Sequence, residues 1–428
     1  MMRQLFIVAQ LLLFFCVCYA EVLQSLIRAE LSTFVKIDDS KPILIVPLHG
    51  LGLANRLRIA SSLFSYALSI NAHILYIWGS SEDCFVNFDE LFTSTFPVIS
   101  VDSSVANGNF DRFAKHLTDS TTNACTALDI SLRQFSLSEF LIDEDRPLSR
   151  VNIVRTFGTH APRSYSCGDY LYAKKLFYQQ LTPSLQVQHI VDSVNLKGGM
   201  VMGVHIRAFD ATHDWNVVNP SIDSLNLSFA VHNNNTDTDT VYNLTSRSFP
   251  EASPLDAFAT FMHKLIAHFP KVRFLLASNS GQAKALMTAA FEPGRVITVD
   301  SEHTGVRHRA EGMVVAAAEF WLLGATALVV HSTASSFARE AAARSMLSVI
   351  DVSFMNSFVS CEFSVEICCL YVSCDSLIQS MYVANTPQVG TSQVPVVTTS
   401  AVGLITTEMQ RKDVYFYSQR DSLHHCCM

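Results

Sequence analysis

Four short clusters in this chain place histidine or serine beside arginine, asparagine or acid, at spacings that suit phosphate chemistry. They are His49-Gly50-Leu51-Gly52-Leu53-Ala54-Asn55-Arg56-Leu57-Arg58, His205-Ile206-Arg207-Ala208-Phe209-Asp210, Ala277-Ser278-Asn279-Ser280, and His331-Ser332-Thr333-Ala334-Ser335-Ser336-Phe337. Arginine is a permanent cation whose planar fork of donors matches a phosphate. Glycines between a strand and a helix aim backbone N–H groups at an anion. Ser332 or Thr333 is placed to cap a helix, and the hydroxyls of Ser335 and Ser336 suit a phosphate or a ribose. The first cluster completes neither the Gly-x-Gly-x-x-Gly fingerprint nor a P-loop. The plain alternative is structural: core strands that end in surface ion pairs, and ordinary helix caps.

Each cluster follows a short apolar run of the kind that forms a buried parallel strand. Met200 to Ile206 is such a run and delivers Arg207 and Asp210 at its carboxyl end, where ligands collect in open α/β sheets. Ile43–Leu48 precedes the glycine turn, and Ala54–Ile70 then repeats apolar residues at helical spacing. His73–Trp78, Pro97–Val101 and Val151–Phe157 read as further strands. Residues 21–41 form a helix-rich lead-in, Cys84–Phe92 a loop or short helix, and 103–150 give no clear pattern. Helices are expected over Tyr170–Leu181 and Pro183–Val194. After Lys197-Gly198-Gly199 the alternation restarts: helix Pro254–Phe269, strand Val272–Ala277, helix Gly281–Phe291, strand Arg295–Val299, helix Glu311–Leu323, strand Ala327–His331, helix Ala334–Arg344, strand Leu347–Asp351. Alternating strands and helices predict doubly wound parallel sheets.

The expected division is 1–20 as a targeting segment, 21–197 as an N-terminal Rossmann-like domain, 198–355 as a second such domain, and 356–428 as an appendage of unknown role. Residues 216–250 read as a polar insertion. With 428 residues, 49% apolar and only 16% charged, the chain is long enough for two cored domains. With a net charge of −8, nothing in the sequence suggests a nucleic-acid or anionic-membrane partner, which needs a clustered basic face. Arg3, the apolar stretch Leu5–Cys18 and Cys18-Tyr19-Ala20 read as a signal peptide cut before Glu21, or as a retained type II anchor. Sequons at Asn226, Asn234 and Asn243 fit glycosylation of the insertion in the secretory pathway, in the ER or Golgi lumen or outside the cell. The 11 cysteines include Cys16 and Cys18, so an odd number remains and at least one thiol is free or pairs between chains. Cys361, Cys368, Cys369 and Cys374 do not follow zinc-module spacing. Asp237-Thr238-Asp239 follows no strand, so no metal site is expected.

Together the clusters resemble the fucosyltransferase superfamily of α1,2-, α1,6-, protein O- and nodulation-factor fucosyltransferases. The resemblance runs from residue 43 to 351. It is carried by the glycine turn with Asn55-Arg56-Leu57-Arg58, Trp78, Cys84, Phe88-x-x-Leu-Phe92, Val204-His205-Ile206-Arg207 with Asp210, Phe274–Ser280, the stretch Arg309–Glu319, and Ser335-Ser336-Phe337. It implies a GT-B-like fold, two Rossmann-like domains facing a cleft. It implies an inverting, metal-independent transfer of L-fucose from GDP-fucose, the donor substrate, to a glycan or glycoprotein, with no cofactor. By motif, Arg207 would hold the β-phosphate, with His205 beside the diphosphate. Ser335, Ser336 and Phe337 would line the nucleotide pocket, and Glu319 would pair with guanine. His49, Gly50, Gly52, Asn55 and Arg56 would come from the other domain. Asp210 ranks first as the base for the acceptor hydroxyl, ahead of His213, Asp214 and His49.

The chain departs from the family pattern at three points. Leu53 and Ala54 separate the glycine turn from Asn55, which predicts a longer turn. Ala208 replaces a second arginine, and Asn279-Ser280 replaces an acidic pair. These departures leave a second reading open: a GT-B-fold protein that binds glycan or nucleotide without turnover.

Overall fold

The computed structural model describes residues 21–101, 110–207, 253, 255–299, 302–306, 309–332 and 335–345, with the backbone of 349–352, 360–365 and 368–373. The targeting segment, Asp210, His213, Asp214, the insertion with its three sequons, and most of 356–428 lie outside the described residues. No helix among the described residues is long and apolar enough to cross a membrane. The chain divides into two compact units. The first comprises residues 1–193, 306–321 and 343–346, and the second the remainder.

The first unit holds a parallel sheet of β1 (Ile43–Leu48), β2 (His73–Gly79), β4 (Val98–Val101), β5 (Leu132–Ser136) and β7 (Val151–Arg155), in the order β4-β2-β1-β7-β5. Successive side chains of a strand point to opposite faces. Ile43, Ile45, Leu75 and Ile77 share a core with Leu23, Ile27, Leu31 and Phe34 of a helix over 21–37 (α1). Phe113, Leu117 and Ala124 join the same core from α4 (Phe110–Leu128). Helix α2 (Leu53–Ser69) packs on β1, β2 and α5 (Cys167–Gln179). Smaller pieces complete the unit: α3 (Phe88–Leu91), the antiparallel pair β3 (Phe92–Ser94) and β9 (Leu181–Pro183), the bridge of β6 (Leu141–Ile142) to β8 (Ala161–Pro162), and α6 (Leu185–Ser193).

The second unit repeats the plan with β10 (Val201–Ile206), β11 (Arg273–Ser278), β12 (Val296–Thr298), β13 (Val329–Ser332) and β14 (Val349–Val352). All are parallel, in the order β12-β11-β10-β13-β14. Met202, Val204 and Ile206 bury one face against α7 (Leu255–His268) and α8 (Gly281–Ala289). The other face is tight at Gly203, where a Cβ would meet Leu323 and Thr326 at 2.9 Å. Leu323 ends α9 (Ala310–Leu323), and α10 (Ser336–Ala343) follows β13. A hairpin of β15 (Ser360–Val365) and β16 (Cys368–Ser373) lies in the expected appendage.

The expected α/β class with two doubly wound Rossmann-like sheets is the fold observed. In each sheet the strand order reverses beside the first strand, between β1 and β7 and between β10 and β13. A crevice for ligands opens at the carboxyl ends of such a pair.

Candidate functional site

The second sheet gathers its polar residues at that reversal. His205 and His331 are register partners across β10 and β13. The backbone N–H of Arg207, one residue past β10, donates to Ser332 Oγ at 2.9 Å. Ser278 at the end of β11 donates its hydroxyl to the Ile206 carbonyl at 2.8 Å. Serines on both neighbouring strands therefore hold the residues that lead into Arg207. His205 shares the parity of Arg207 and lies on the α10 side of the sheet. Its Nδ1 is 2.9 Å from Ser335 Oγ, and its ring stacks on Phe337 at 5.0 Å. Ser335 also caps α10 by accepting from the Ala338 N–H. His205 is 6% exposed. Burial, followed by His331 and the Arg207 charge, pushes its pKa down to about 3. It is neutral near pH 7, a hydrogen-bonding group and not a second cation.

The structure thus brings together Arg207, His205, Ser335 and Phe337, with Ser336 next along α10. Ser278 and Ser332 supply the latches; Ser332, expected as a helix cap, instead ends β13, and Ser335 is the cap of α10. Ser278 and Ser332 each close a strand beside β10, and that position alone could have marked them. Asp210 lies outside the described residues. Glu319 is buried on α9, within the 306–321 stretch that belongs to the first unit. Ser280, where an acidic residue is usual in the resembled family, caps α8 by accepting from the Ala283 N–H.

The glycine turn of the first unit is built differently. Gly50 takes φ +71°, a conformation that favours glycine. Gly52 is the N-cap of α2, so Leu53 and Ala54 become the first helical residues and the turn is not lengthened. Asn55 follows them in the first helical turn, half-buried. Arg56 points inward and is fully buried. Its Nε donates to Leu51 O at 2.6 Å, Nη1 to Gly79 O at 2.7 Å and Nη2 to Ser81 Oγ at 2.7 Å, and its guanidinium lies 4.6 Å from the Trp78 ring centre. The fork expected on a phosphate is therefore spent on tying the turn to the end of β2. His49 sits 1% exposed against Phe113, with Nδ1 3.2 Å from the same Gly79 carbonyl. A carbonyl only accepts, so Nδ1 carries the proton. Burial lowers the His49 pKa and keeps the ring neutral. A Cβ on Gly79 would stand 2.8 Å from His49 Nδ1, which explains a glycine there.

Among the described residues no group of three or more His, Cys, Asp or Glu could hold a metal ion. Cys84 and Cys125 are buried free thiols.

No family model matches the chain, and no curated protein matches its sequence. Among solved structures it is similar to fucosyltransferase NodZ from Bradyrhizobium, with 15% identity and a TM-score of 0.41 over 73% of this chain and 96% of that one. A mutant of Arabidopsis thaliana FUT1 in complex with GDP is similar at 16% identity and a TM-score of 0.41, over 73% of this chain and 70% of that one. POFUT1 in complex with GDP is similar at 10% identity and a TM-score of 0.39, over 73% and 99%. At such scores these likenesses carry no argument. The fold stands on this chain's own strand order, and function must be argued from the site.

Proposed function

We propose that this chain is a GDP-fucose-dependent fucosyltransferase of the secretory pathway, acting on a glycan or glycoprotein acceptor by an inverting, metal-independent transfer. The observation that carries the proposal is Arg207, one residue past the central strand at the point where the strand order reverses, fixed through its backbone by Ser332. The motif resemblance from residue 43 to 351 supplies the donor.

In this reaction an acceptor oxygen forms a bond to the fucose anomeric carbon, and the bond from that carbon to the diphosphate breaks. The electron pair leaves with GDP. Negative charge grows on the departing phosphate, and a fixed arginine stabilises it most in the transition state. Neutral His205 and the hydroxyls of Ser335 and Ser336 would bind the nucleotide without adding charge, and Phe337 would supply apolar surface. The acceptor proton goes to a base, and Asp210 is the residue proposed for it.

The test is release of GDP by purified protein given GDP-fucose and an acceptor array without added metal. Turnover that disappears in Arg207→Ala supports the proposal. GDP binding without turnover favours the second reading, a binding protein, to which Ala208 and Asn279 lend support. Absence of GDP binding overturns both.

A further inference from the structure

Phe157, two residues past β7, is 56% exposed, yet the loop that carries it is fixed by buried bonds. His160 Nδ1 donates to the Glu139 carbonyl at 2.6 Å. The other nitrogen, Nε2, therefore accepts the hydroxyl of Thr156. Thr156 Oγ1 in turn accepts the Gly158 N–H at 3.0 Å. Thr156 and His160 are both buried, at 5% and 1% exposure. The Phe157 ring leans on Phe110 at 5.0 Å and 58°. Phe110 lies along His49, and His49 stacks on the core residue Phe113. The exposed ring is thus the outer end of an aromatic row rooted in the core. The row stands where the order of the first sheet reverses, between the ends of β1 and β7.

A polar group stands beside this loop. Arg58 on α2 is close enough that its charge, after burial, helps lower the His160 pKa. Its guanidinium makes no hydrogen bond or ion pair among the described residues, and its Nε is buried. Arg56, two residues earlier, has three bonds and faces inward.

We infer that Phe157 and Arg58 form an acceptor subsite, in which the ring covers the apolar face of one pyranose of the acceptor glycan and the guanidinium donates to its hydroxyl or carboxylate oxygens. A pyranose presents a flat patch of C–H bonds ringed by hydroxyls. A rigid aromatic ring on a loop that a guanidinium flanks at His160 suits that pattern, and a ring held in place loses little freedom when it binds. The inference rests on the fucosyltransferase reading, which requires an acceptor.

The experiment has two arms on the full chain. In the first, wild type and Phe157→Ala are applied without donor to an array of neutral and uronic-acid-bearing oligosaccharides. In the second, kinetics are measured with GDP-fucose and the best-bound oligosaccharide. Phe157→Ala should lose array binding and raise the acceptor KM roughly ten-fold, with the GDP-fucose KM unchanged, and Phe157→Trp should keep both. Arg58→Ala should raise the acceptor KM, most for acidic sugars. Equal array signals for wild type and Phe157→Ala overturn the subsite, as does a wild type that binds no glycan. A parallel rise in the GDP-fucose KM also overturns it, because the ring would then serve the nucleotide. If wild type binds glycan through Phe157 but turns over no GDP-fucose, the donor reading fails and the subsite stands.

Discussion

The carboxyl end of β1 is closed by a buried arginine, and the carboxyl end of β10 by serines. At β1, Arg56 bonds Leu51, Gly79 and Ser81, while neutral His49 shares the Gly79 carbonyl. At β10, Ser278 and Ser332 bond the backbone at Ile206 and Arg207, and Ser335 meets His205. Both ends carry a His and an Arg, seven residues apart in the first (His49, Arg56) and two in the second (His205, Arg207), but the arginine of the first is a structural tie. A guanidinium that holds backbone carbonyls in the core cannot also grip a phosphate. Where small hydroxyls hold the backbone, the arginine itself is not needed for that task. On the proposed function, anion binding therefore belongs to the second sheet, while Arg56 sets turn geometry in the first.

The comparison can be broken in several places. Arg207→Ala should lower kcat about 10²–10³-fold, the usual cost of one preorganised transition-state donor, with little change in thermal midpoint. The same truncation at Arg56 should act the other way round. It should cost about 3 kcal/mol of stability in urea unfolding, because the Leu51 and Gly79 carbonyls lose a buried donor and a cavity opens. If Arg56→Ala is as stable as wild type, the structural assignment of Arg56 fails. Gly79→Ala should cost about 1–3 kcal/mol by crowding His49, measured the same way. Ser332→Ala should cost about 1 kcal/mol and lower kcat/KM in a GDP-release assay, since the Arg207 backbone loses its latch.

A further effect appears in acid. Unfolded, His205 titrates near 6.5; folded, only near 3. Below pH 6.5 the unfolded chain takes up a proton that the folded chain refuses, so stability falls as pH drops towards 3. One such group contributes about 1.4 kcal/mol per pH unit. His49 and His160 are also lowered by burial and add to the slope. His205→Asn should flatten it by about one proton in pH-dependent urea unfolding, and an unchanged slope would contradict the buried neutral ring.

The strands were legible because each central one is a continuous apolar run; β1 lies over Ile43–Leu48 as expected, and β10 and β11 differ by a residue at their ends. Helix α4 was missed. Its buried residues Phe113, Ala114, Leu117, Ser120, Thr121, Ala124 and Cys125 keep helical spacing, but the many Ser, Thr, Asp and Asn residues around them leave the stretch low in apolar content, so it reads as a polar connection. Strand β5 is mostly half-buried or exposed, so Leu132–Ser136 lacks an apolar run. The inward turn of Arg56 did have a signal. Leu53, Arg56, Leu57 and Ala60 share one helical stripe, and all four are buried. Chemistry drew attention to the charge, whereas periodicity placed it in the core. The latches at Ser278 and Ser332 had only their place at the ends of the strands beside β10 as a signal, since a hydroxyl there reads alike whether it bonds backbone or ligand.

The discontinuity of the first unit has a consequence for synthesis of the chain. Trp321 packs near Phe92, Phe320 near Tyr178, and Arg344 lies 4.2 Å over Trp321. Phe320 and Trp321 leave the ribosome roughly 130 residues after α6, which at common elongation rates is about 6–26 s later. During that interval Phe92 and Tyr178 lack their late aromatic neighbours, so the nascent first sheet can collapse early but completes its packing only when the second is nearly made.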